Sequence, residues 1–437
     1  MVEEPCPLPS WDTSSPEPPA PTASLSESLR ADAIVVGAGI TGSSTALHLA
    51  RTGKRVVQIE AREPGWGSSG RAFGNVVPVS KHAGRRIERI YGPERGRRLN
   101  AALAAGPEMV RGLLAEFQIG AVLHGAGWLL AAHTPRAEAD LKRQASRLVE
   151  SGFGPTYHDA RETADLIGSP FYRGSLTDPR AFAVNALTYG RGLARAARQA
   201  GVSQFCNSPA TRIERSGATG WTVSTPAGEV VADTVFICTN AYTDALWPGL
   251  ARTFVPVRGY TAVSRPFEDG ILERVLPHRH FLTDTRHLWS GIRKVPGNRL
   301  HVGVGGPPLA KSADADLSGA TRRVKMVFPE LGAVEWEEQW SGWVALTGHQ
   351  LPRILRLDHG VWAALGYSGR GLSFATLLGR ELSTLADGTT SRETILPVEE
   401  MRPLPCHALA PFVAAACIRY FEAADRWSMW RHRRRHP

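Results

Sequence analysis

The chain has 437 residues, of which 43% are hydrophobic and 21% charged, values typical of a soluble globular protein. One hydrophobic core rarely organises a chain of this length, so two domains are expected. No apolar run reaches the roughly 20 residues that span a bilayer, and residues 1–30 lack the basic start and apolar centre of an export signal. Five cysteines without a CxxC pair or metal-ligand spacing predict free thiols, no bound metal and a cytoplasmic protein.

The net charge of +10 is partly concentrated near the end of the chain. From residue 419 onward there are six arginines, against only Glu422 and Asp425. This segment is either a solvated tail that includes a helix over residues 419–430, or a peripheral contact for anionic lipid or nucleic acid. Basic and aromatic residues do not alternate along the rest of the chain, so we do not expect a nucleic-acid partner.

Residues 1–24 contain seven prolines, a composition that predicts an extended or disordered arm. A dinucleotide-binding pattern follows over residues 32–60, with a strand at 34–36, a GxGxxG turn and a helix that stops near Gly53. Gly37 permits the tight turn, Gly39 lets the backbone approach a pyrophosphate, and Gly42 lets the helix pack on the strand. The phosphate charge would meet free N–H groups at the helix N-terminus.

Glu60 ends the second strand of this pattern, 21 residues after Gly39. A carboxylate at this place accepts hydrogen bonds from ribose hydroxyls. It also repels a 2′-phosphate, which disfavours NADP.

The later elements alternate between two kinds of block. Helical periodicity covers residues 86–117, 135–150 and 181–200, with a short apolar stretch at 128–132. Strands are predicted at 211–214, 221–225, 229–232, 234–238, 255–263, 287–293, 299–304, 335–344 and 361–365, and the last of these precedes a glycine turn and a helix to about residue 386. An interrupted nucleotide-binding domain with an inserted substrate domain explains this order.

Three segments in combination indicate a family. They are the fingerprint with Glu60, the turn GSSGR at residues 67–71, and the turn GYSGRG at residues 366–371, which opens a helix. Together with PVRGY at 256–260 and WSGW at 340–343, they resemble the FAD-dependent D-amino-acid oxidase superfamily, and most closely its bacterial branch that includes γ-glutamylputrescine oxidases. The likeness covers most of the chain from about residue 10.

The resemblance implies an α/β fold in which a Rossmann-like FAD-binding domain is interrupted by an α+β substrate domain with a mainly antiparallel sheet. The FAD-binding domain would comprise residues 31–85, 175–250 and 345–400, and the substrate domain residues 86–174 and 251–344. A Pro-rich arm at 1–30 and a C-terminal basic helix or tail at 401–437 complete the chain. The arm up to Ala31 also resembles the N-terminal lead-in of that branch, which implies that it lies ordered across the surface.

The resemblance also implies FAD, bound noncovalently. Some family members bond the flavin to a cysteine or a histidine, and these positions correspond here to Gly342 and Arg71, neither of which can form that bond. The predicted cofactor-binding residues are Gly37, Ala38, Gly39, Ile40, Thr41, Gly42, Glu60, Ala61, Ser68, Ser69, Gly70, Arg71, Thr211, Thr239, Gly369, Arg370, Gly371 and Leu372.

Four residues are candidates for the catalytic site, each with a structural alternative. His301 corresponds to a lysine that promotes the reaction of reduced flavin with oxygen, or it is a histidine on an exposed strand face. Arg293 is a carboxylate anchor or a surface ion-pairing arginine. His349 lies near the flavin's pyrimidine end or is a loop histidine bonded to backbone. Tyr260, with three tryptophans at 289, 340 and 343, lines an amine pocket or belongs to the core.

The expected reaction is oxidation of a C–N bond of an amine to an imine, with O2 as acceptor and H2O2 as product. A lysine that holds the carboxylate of α-amino acids in some relatives corresponds to Ser373, which favours a free amine or polyamine-like substrate. Three alternatives stay open: a quinone- or carrier-linked dehydrogenase at a membrane surface, an RNA-binding or tRNA-modifying flavoprotein, and an FAD-binding domain without catalysis.

Overall fold

The computed structural model describes residues 11–19, 23–80, 84–123, 125–150, 154–306, 317–388 and 393–435. The α-helices of this part are α1 Ile40–Arg51, α2 Ser68–Arg71, α3 Gly84–Tyr91, α4 Pro93–Glu116, α5 Pro135–Glu150, α6 Ala160–Ile167, α7 Ala186–Gln199, α8 Ser318–Val327, α9 Gly371–Leu385 and α10 Ala410–Arg435. Its strands are β1 Ser28–Arg30, β2 Ala33–Val36, β3 Val56–Ile59, β4 Asn75–Val76, β5 Val122–Leu123, β6 Trp128–Ala132, β7 Thr156–His158, β8 Gly174–Asp178, β9 Phe182–Val184, β10 Ser203–Phe205, β11 Arg212–Ser216, β12 Gly220–Ser224, β13 Glu229–Ala232, β14 Thr234–Ile237, β15 Val255–Ser264, β16 Phe281–Asp284, β17 Ser290–Val295, β18 Arg299–Gly305, β19 Trp336–Leu346, β20 Arg353–Asp358, β21 Val361–Leu365 and β22 Val398–Glu400.

A seven-stranded sheet with the order β10-β3-β2-β14-β21-β20-β22 forms the first half of the molecule. Its strands are parallel except where β20 runs against β21. Val36 pairs with both Ile59 and Ile237, and Ile237 pairs with Ala363. The carboxyl ends of four strands therefore lie side by side, which is where parallel α/β sheets bind ligands.

Helices α1, α4, α7 and α9 cover one face of this sheet, and the four-stranded sheet β1-β13-β12-β11 covers the other. Leu47 and Leu49 of α1 are fully buried, and each such side chain contributes about 1.5–3 kcal/mol. The predicted helix stop is confirmed, because Gly53 has φ +83° directly after α1.

An eight-stranded sheet, β19-β15-β18-β17-β16-β6-β8-β7, forms the second half, and only its β16–β6 pair is parallel. The predicted mainly antiparallel sheet is thus present. The division into two domains remains a proposal. Leu99, Leu103 and Val110 of α4 pack in the same cluster as Phe374 of α9, so α4 lies with the nucleotide-binding layer and not with the substrate layer to which we assigned it.

Three predicted elements differ from the structure. The helix predicted over 86–117 is two helices, because Gly92 has φ +81° and Pro93 begins a new helix. The helix predicted over 181–200 begins only at Ala186, since the Asn185 side chain accepts from the Thr188 N–H and caps it. Residues 182–184 instead form β9, which pairs with β4 and β5.

The strand predicted at 287–293 begins three residues later, at Ser290. Upstream, the Arg286 amide donates to Asp284 Oδ1 at 3.2 Å and turns the chain before β17 starts. The predicted strands in the ranges 211–238, 255–263, 299–304, 335–344 and 361–365 are confirmed to within a few residues.

The cysteines among the described residues are free, with Cys206 and Cys238 buried and Cys406 and Cys417 exposed, as predicted. Cys6 lies outside the described residues. Within the described ranges, no helix combines the length and apolar character needed to cross a membrane.

A buried ion network anchors helix α8 to the eight-stranded sheet. The Asp284 side chain has no exposed surface and pairs with Arg286 at 3.0 Å and with Arg323. Arg323 also donates to the Tyr172 hydroxyl. Burial alone would raise the pKa of Asp284, but Arg323 and Arg286 outweigh it and hold this pKa below its usual range.

We expect Asp284→Asn to destabilise the protein by about 3–5 kcal/mol, because it leaves two buried guanidinium groups without a counter-charge. The contribution of Asp284 to the free energy of unfolding is present at neutral pH and is lost as pH falls through its lowered pKa. Because the variant lacks this contribution, its free energy of unfolding should fall less on acidification than that of wild type. Urea unfolding measures both effects. Asp140→Asn, which removes an exposed pair with Arg143, is the matched control and should cost less than about 1 kcal/mol. Equal destabilisation by the two variants would contradict this account.

Candidate active site

The turn after β2 excludes side chains where a phosphate would approach. Gly37 has φ +101°, a conformation that glycine adopts without strain. A Cβ on Gly42 would lie 1.9 Å from the Gly37 carbonyl oxygen, and one on Gly39 would lie 2.8 Å from Ser69 Oγ. Gly37 and Gly42 therefore have the structural roles that the sequence predicted for them, and the approach of a pyrophosphate to Gly39 remains a prediction.

The early turn that carries α2 lies directly against this glycine turn. The Ile40 N–H donates to Ser69 Oγ at 2.9 Å, and the Gly65 N–H donates to the Ala38 carbonyl at 3.0 Å. Ser68 Oγ donates to the Trp343 carbonyl at 2.6 Å, which connects the same turn to β19. The structure thus brings together the two first groups of predicted cofactor-binding residues.

Glu60 accepts a hydrogen bond from the Ala38 N–H at 2.7 Å and one from the Arg62 N–H at 3.0 Å. Burial raises the pKa of the Glu60 carboxyl, and the backbone donors at Ala38, Arg62 and Ala61 oppose that effect. The carboxylate therefore stands at the end of β3 beside the glycine turn, as a ribose-binding acid requires.

The late glycine turn joins the same edge of the sheet. Gly366 and Gly369 have φ +86° and +84°, and α9 starts at Gly371. The Gly366 N–H donates to Asn240 Oδ1 at 2.9 Å, next to Thr239. Thr41 Oγ1 and the Tyr367 hydroxyl are 2.6 Å apart, so the late turn also contacts α1. The turns that precede α1 and α9 consequently lie close together, and a helix N-terminus is where an anion is stabilised.

The segment after α2 is fixed through three successive carbonyl groups. Trp340 Nε1 donates to the carbonyl of residue 71 at 3.1 Å, and Trp11 Nε1 donates to that of residue 72 at 3.2 Å. Arg293 Nη2 donates to the carbonyl of Phe73. The Phe73 ring packs on β17 and β18, where a Cβ on Gly291 or Gly303 would lie only 2.8 Å from it. Segment 71–73 therefore joins the nucleotide-binding turns to the substrate sheet.

Arg293 and His301 form a buried pair beside this segment. Arg293 Nε donates to His301 Nδ1 at 3.0 Å, and the two residues are 3% and 0% exposed. Burial lowers the pKa of Arg293 to about 9, and burial together with Arg293 lowers the pKa of His301 well below its usual value. The alternatives of a surface arginine and an exposed strand histidine are therefore wrong. With its pKa lowered, His301 also lacks the positive charge of the lysine to which it corresponds.

Each member of this pair has one buried nitrogen, Arg293 Nη1 and His301 Nε2, without a hydrogen-bond partner in the described residues. Because guanidinium Nε can only donate, Nδ1 of the neutral imidazole is the acceptor and its proton lies on Nε2. The pair thus offers two unused donors. Such buried donors are costly unless a ligand satisfies them.

Further unpaired buried atoms lie around the early turn and fit a large polar cofactor. They are Arg71 Nη2, Trp343 Nε1 and Asn75 Oδ1, for which the described residues supply no hydrogen-bond partner. Trp343 and Asn75 flank the turn in β19 and β4. A flavin with its pyrophosphate would meet both the open glycine turns and these two donors and one acceptor, so the residues present fit FAD.

Two predicted site residues, Thr211 and Tyr260, are not brought to these turns. Thr211 is exposed and its hydroxyl donates to the Ser224 carbonyl within the four-stranded sheet, at 3.1 Å. Tyr260 is 2% exposed and packs in the core of the substrate layer with Ile292 and Val304, so the core alternative is correct for it. His349 is exposed in the turn after β19, two residues after Thr347, whose N–H donates to Ser368 Oγ of the late glycine turn at 3.4 Å. Its role remains a prediction.

Sequence reasoning missed Trp11 and Phe73. Trp11 is the single aromatic residue of the Pro-rich arm, in which we predicted no site residue. A bulky apolar residue in a segment otherwise too polar to fold was the available signal. No sequence signal indicated the role of Phe73, because its ring packs against two glycines about 220 residues away.

We expect Glu60→Ala to raise the Kd for FAD about 10- to 100-fold, because a hydrogen-bonding carboxylate is worth about 1.5–3 kcal/mol. Fluorescence titration of the apoprotein with FAD measures the Kd. Glu214→Ala, on the exposed strand β11, is the control and should leave the Kd unchanged. An unchanged Kd in Glu60→Ala would exclude Glu60 from the cofactor site.

Known proteins of similar sequence share nearly the whole length of this chain. Gamma-glutamylputrescine oxidoreductase of Escherichia coli strain K12 is 30% identical over 411 residues, which cover 93% of this chain and 96% of that protein. Probable oxidoreductase OrdL of Rhizobium meliloti strain 1021 is 27% identical over 372 residues, 84% of this chain and 86% of that protein.

Solved structures share the fold. Glycine oxidase from Geobacillus kaustophilus superposes with a TM-score of 0.69 over 83% of this chain and 95% of its own, at 22% identity. Residues 32–385 match the DAO family, described as FAD dependent oxidoreductase. The chain therefore belongs to the DAO family of FAD-dependent amine and amino-acid oxidoreductases, as the resemblance predicted.

Proposed function

We propose that this enzyme oxidises a C–N bond of an amine or amino acid to an imine and passes the electrons to O2. The amine loses two electrons and two protons, O2 takes up both to give H2O2, and water then hydrolyses the imine. When bound, FAD supplies the acceptor for the electrons that leave the substrate. The observation that carries the proposal is the buried Arg293–His301 pair with two unused donors beside segment 71–73.

In this proposal Arg293 and His301 bind a carboxylate of the substrate. Arg293 Nη1 and the His301 Nε2–H are donors only, and within the described residues no carboxylate pairs with Arg293. A cavity of about 20 Å³, room for a single water, lies against Arg293 and is also lined by Arg279 and Lys294. This excess of positive charge favours an anionic group on the substrate.

Ser373 stands at the position of the lysine that holds the carboxylate of α-amino acids in some relatives, and it does not replace that lysine. The Ser373 hydroxyl is buried and donates to the Val77 carbonyl at 3.1 Å, so it is already engaged. We therefore propose an amine whose carboxylate is separate from the reacting carbon. Gamma-glutamylputrescine, after which one relative is named, has such a structure.

A second candidate, a dehydrogenase that reduces a quinone or carrier at a membrane surface, is favoured by helix α10. Its residues Phe412, Tyr420 and Trp427 are 63%, 68% and 58% exposed, and six arginines lie from residue 419 onward. Exposed aromatic residues next to arginines are typical of contacts with anionic lipid. The free thiols support a cytoplasmic location for either candidate.

A peroxide-coupled assay of the FAD-loaded protein over D-amino acids, N-methyl amino acids, polyamines and γ-glutamyl polyamines tests the proposal. We expect turnover of amines with a distant carboxylate and one H2O2 per imine formed. Robust dye reduction with near-zero H2O2 would establish the dehydrogenase instead, and activity confined to D-amino acids would refute the substrate class.

Arg293→Met should lower kcat/KM for a carboxylate-bearing amine on the order of 10- to 100-fold, mainly through KM, because a charge-assisted hydrogen bond is lost. An amine without a carboxylate should be affected much less. Arg299→Met, which removes a partly exposed arginine of β18 paired with Glu337, is the control. An equal loss for both amines would show that Arg293 acts on structure and not on the carboxylate.

A further inference from the structure

The N-terminal segment of residues 11–17, called the strap below, lies along helix α7. Asn185 Nδ2 donates to the Trp11 carbonyl at 3.0 Å, and Thr188 Oγ1 donates to Ser15 Oγ at 2.9 Å. Asn185 and Thr188 are both buried. The first half of the strap is thus held by the start of α7.

Two arginines further along α7 hold the acidic residues of the strap. Arg191 pairs with Asp12, and Arg195 binds Glu17 through Nε at 2.9 Å and Nη2 at 2.6 Å. The four contacting positions of α7 are spaced by three or four residues, so they share one face of the helix. The strap is therefore fixed along its length and does not behave as a free arm.

This attachment places the Trp11 ring beside the Arg293–His301 pair. Trp11 is 5% exposed, and its ring centroid lies 4.9 Å from that of His301 at an edge-on angle of 84°. The guanidinium carbon of Arg293 lies 5.1 Å from the Trp11 centroid. The centroid of the Trp340 ring lies 5.9 Å from that of the Trp11 ring, so Trp340 packs against the same group.

These neighbours distinguish Trp11 from an ordinary core tryptophan. Its ring contacts Arg293 and His301, the two residues with unused donors, and its Nε1 donates to the carbonyl of residue 72 in segment 71–73. A ligand that satisfied both donors would therefore lie beside the Trp11 ring. An aromatic ring held by hydrogen bonds at both backbone and side chain makes a rigid boundary for a pocket.

We propose that Trp11 is a specificity-determining residue of the enzyme, a wall of the substrate compartment that the strap supplies and that restricts the size of the group bound at Arg293 and His301. This inference rests on the proposed function for the identity of the compartment. Removing a wall should favour bulkier ligands, and a few carbon atoms in a pocket are worth about 10- to 200-fold in discrimination.

The test compares the binding of acetate and of phenylacetate to the FAD-loaded protein. The Kd of each carboxylate is measured from the change in flavin absorbance and by calorimetry. In Trp11→Ala the affinity for phenylacetate relative to acetate should rise at least about ten-fold over wild type. Trp11→Phe, which keeps an aromatic wall, should give an intermediate ratio. An unchanged ratio in Trp11→Ala, or absence of binding by either carboxylate, overturns the proposal.

Trp221→Ala is the matched control. Trp221 is 3% exposed and donates through Nε1 to the His359 carbonyl at 3.0 Å, but it lies in the core beneath the four-stranded sheet. This variant should lose thermal stability without a change in the ratio of the two affinities. A change of the ratio as large as in Trp11→Ala would show that both variants act through stability, and would overturn the proposal.

The ratio of the affinities for phenylacetate and acetate is measured without turnover. A failure of the proposed function can therefore be distinguished from a failure of the proposed role of Trp11. If no amine is oxidised by wild type, the proposed function is wrong, while the carboxylate ratio still decides the role of Trp11. If an amine is oxidised, kcat/KM for that amine and for a derivative that carries a phenyl group next to its carboxylate should shift in Trp11→Ala in the same direction as the binding ratio.

Discussion

The arrangement of the active site depends on the satisfaction of three successive backbone carbonyls in segment 71–73. Buried carbonyl groups need donors, and this segment receives them from three distant parts of the chain: Trp340 of β19, Trp11 of the strap and Arg293 of β17. The nucleotide-binding turns, the substrate sheet and the N-terminal segment are therefore held together at one point. The same contacts that fix the segment also position the side chains that we propose to bind the substrate.

Two clusters of buried arginines in the substrate layer differ in one respect, and the difference separates structure from function. Arg286 and Arg323 are neutralised by Asp284, which has no exposed surface. Arg293 has a neutral histidine as its partner and, within the described residues, no carboxylate. A buried cation without a counter-charge is unfavourable in the protein alone. The second cluster is consequently suited to an anionic ligand, and the first to anchoring α8.

The sequence was sufficient for the features that depend on local chemistry. The glycine turn, Glu60, the late turn before α9 and the alternating strands follow from short-range patterns, and the structure contains them. Features that depend on tertiary contacts could not be predicted from short-range patterns. The burial that makes His301 neutral comes from strands and a strap distant in sequence, and the start of α7 was decided by pairing of residues 182–184 with β4 and β5. Tyr260 shows the same limit, because a strand pattern does not tell which face meets the core.

A crystal structure of the FAD-loaded protein with phenylacetate bound to the Trp11→Ala variant, and with acetate bound to wild type, tests the central claim most directly. The account predicts the flavin against segment 71–73 and a carboxylate oxygen within about 3 Å of both Arg293 Nη1 and His301 Nε2. A carboxylate bound elsewhere, with this pair of nitrogens still unpaired, would contradict it.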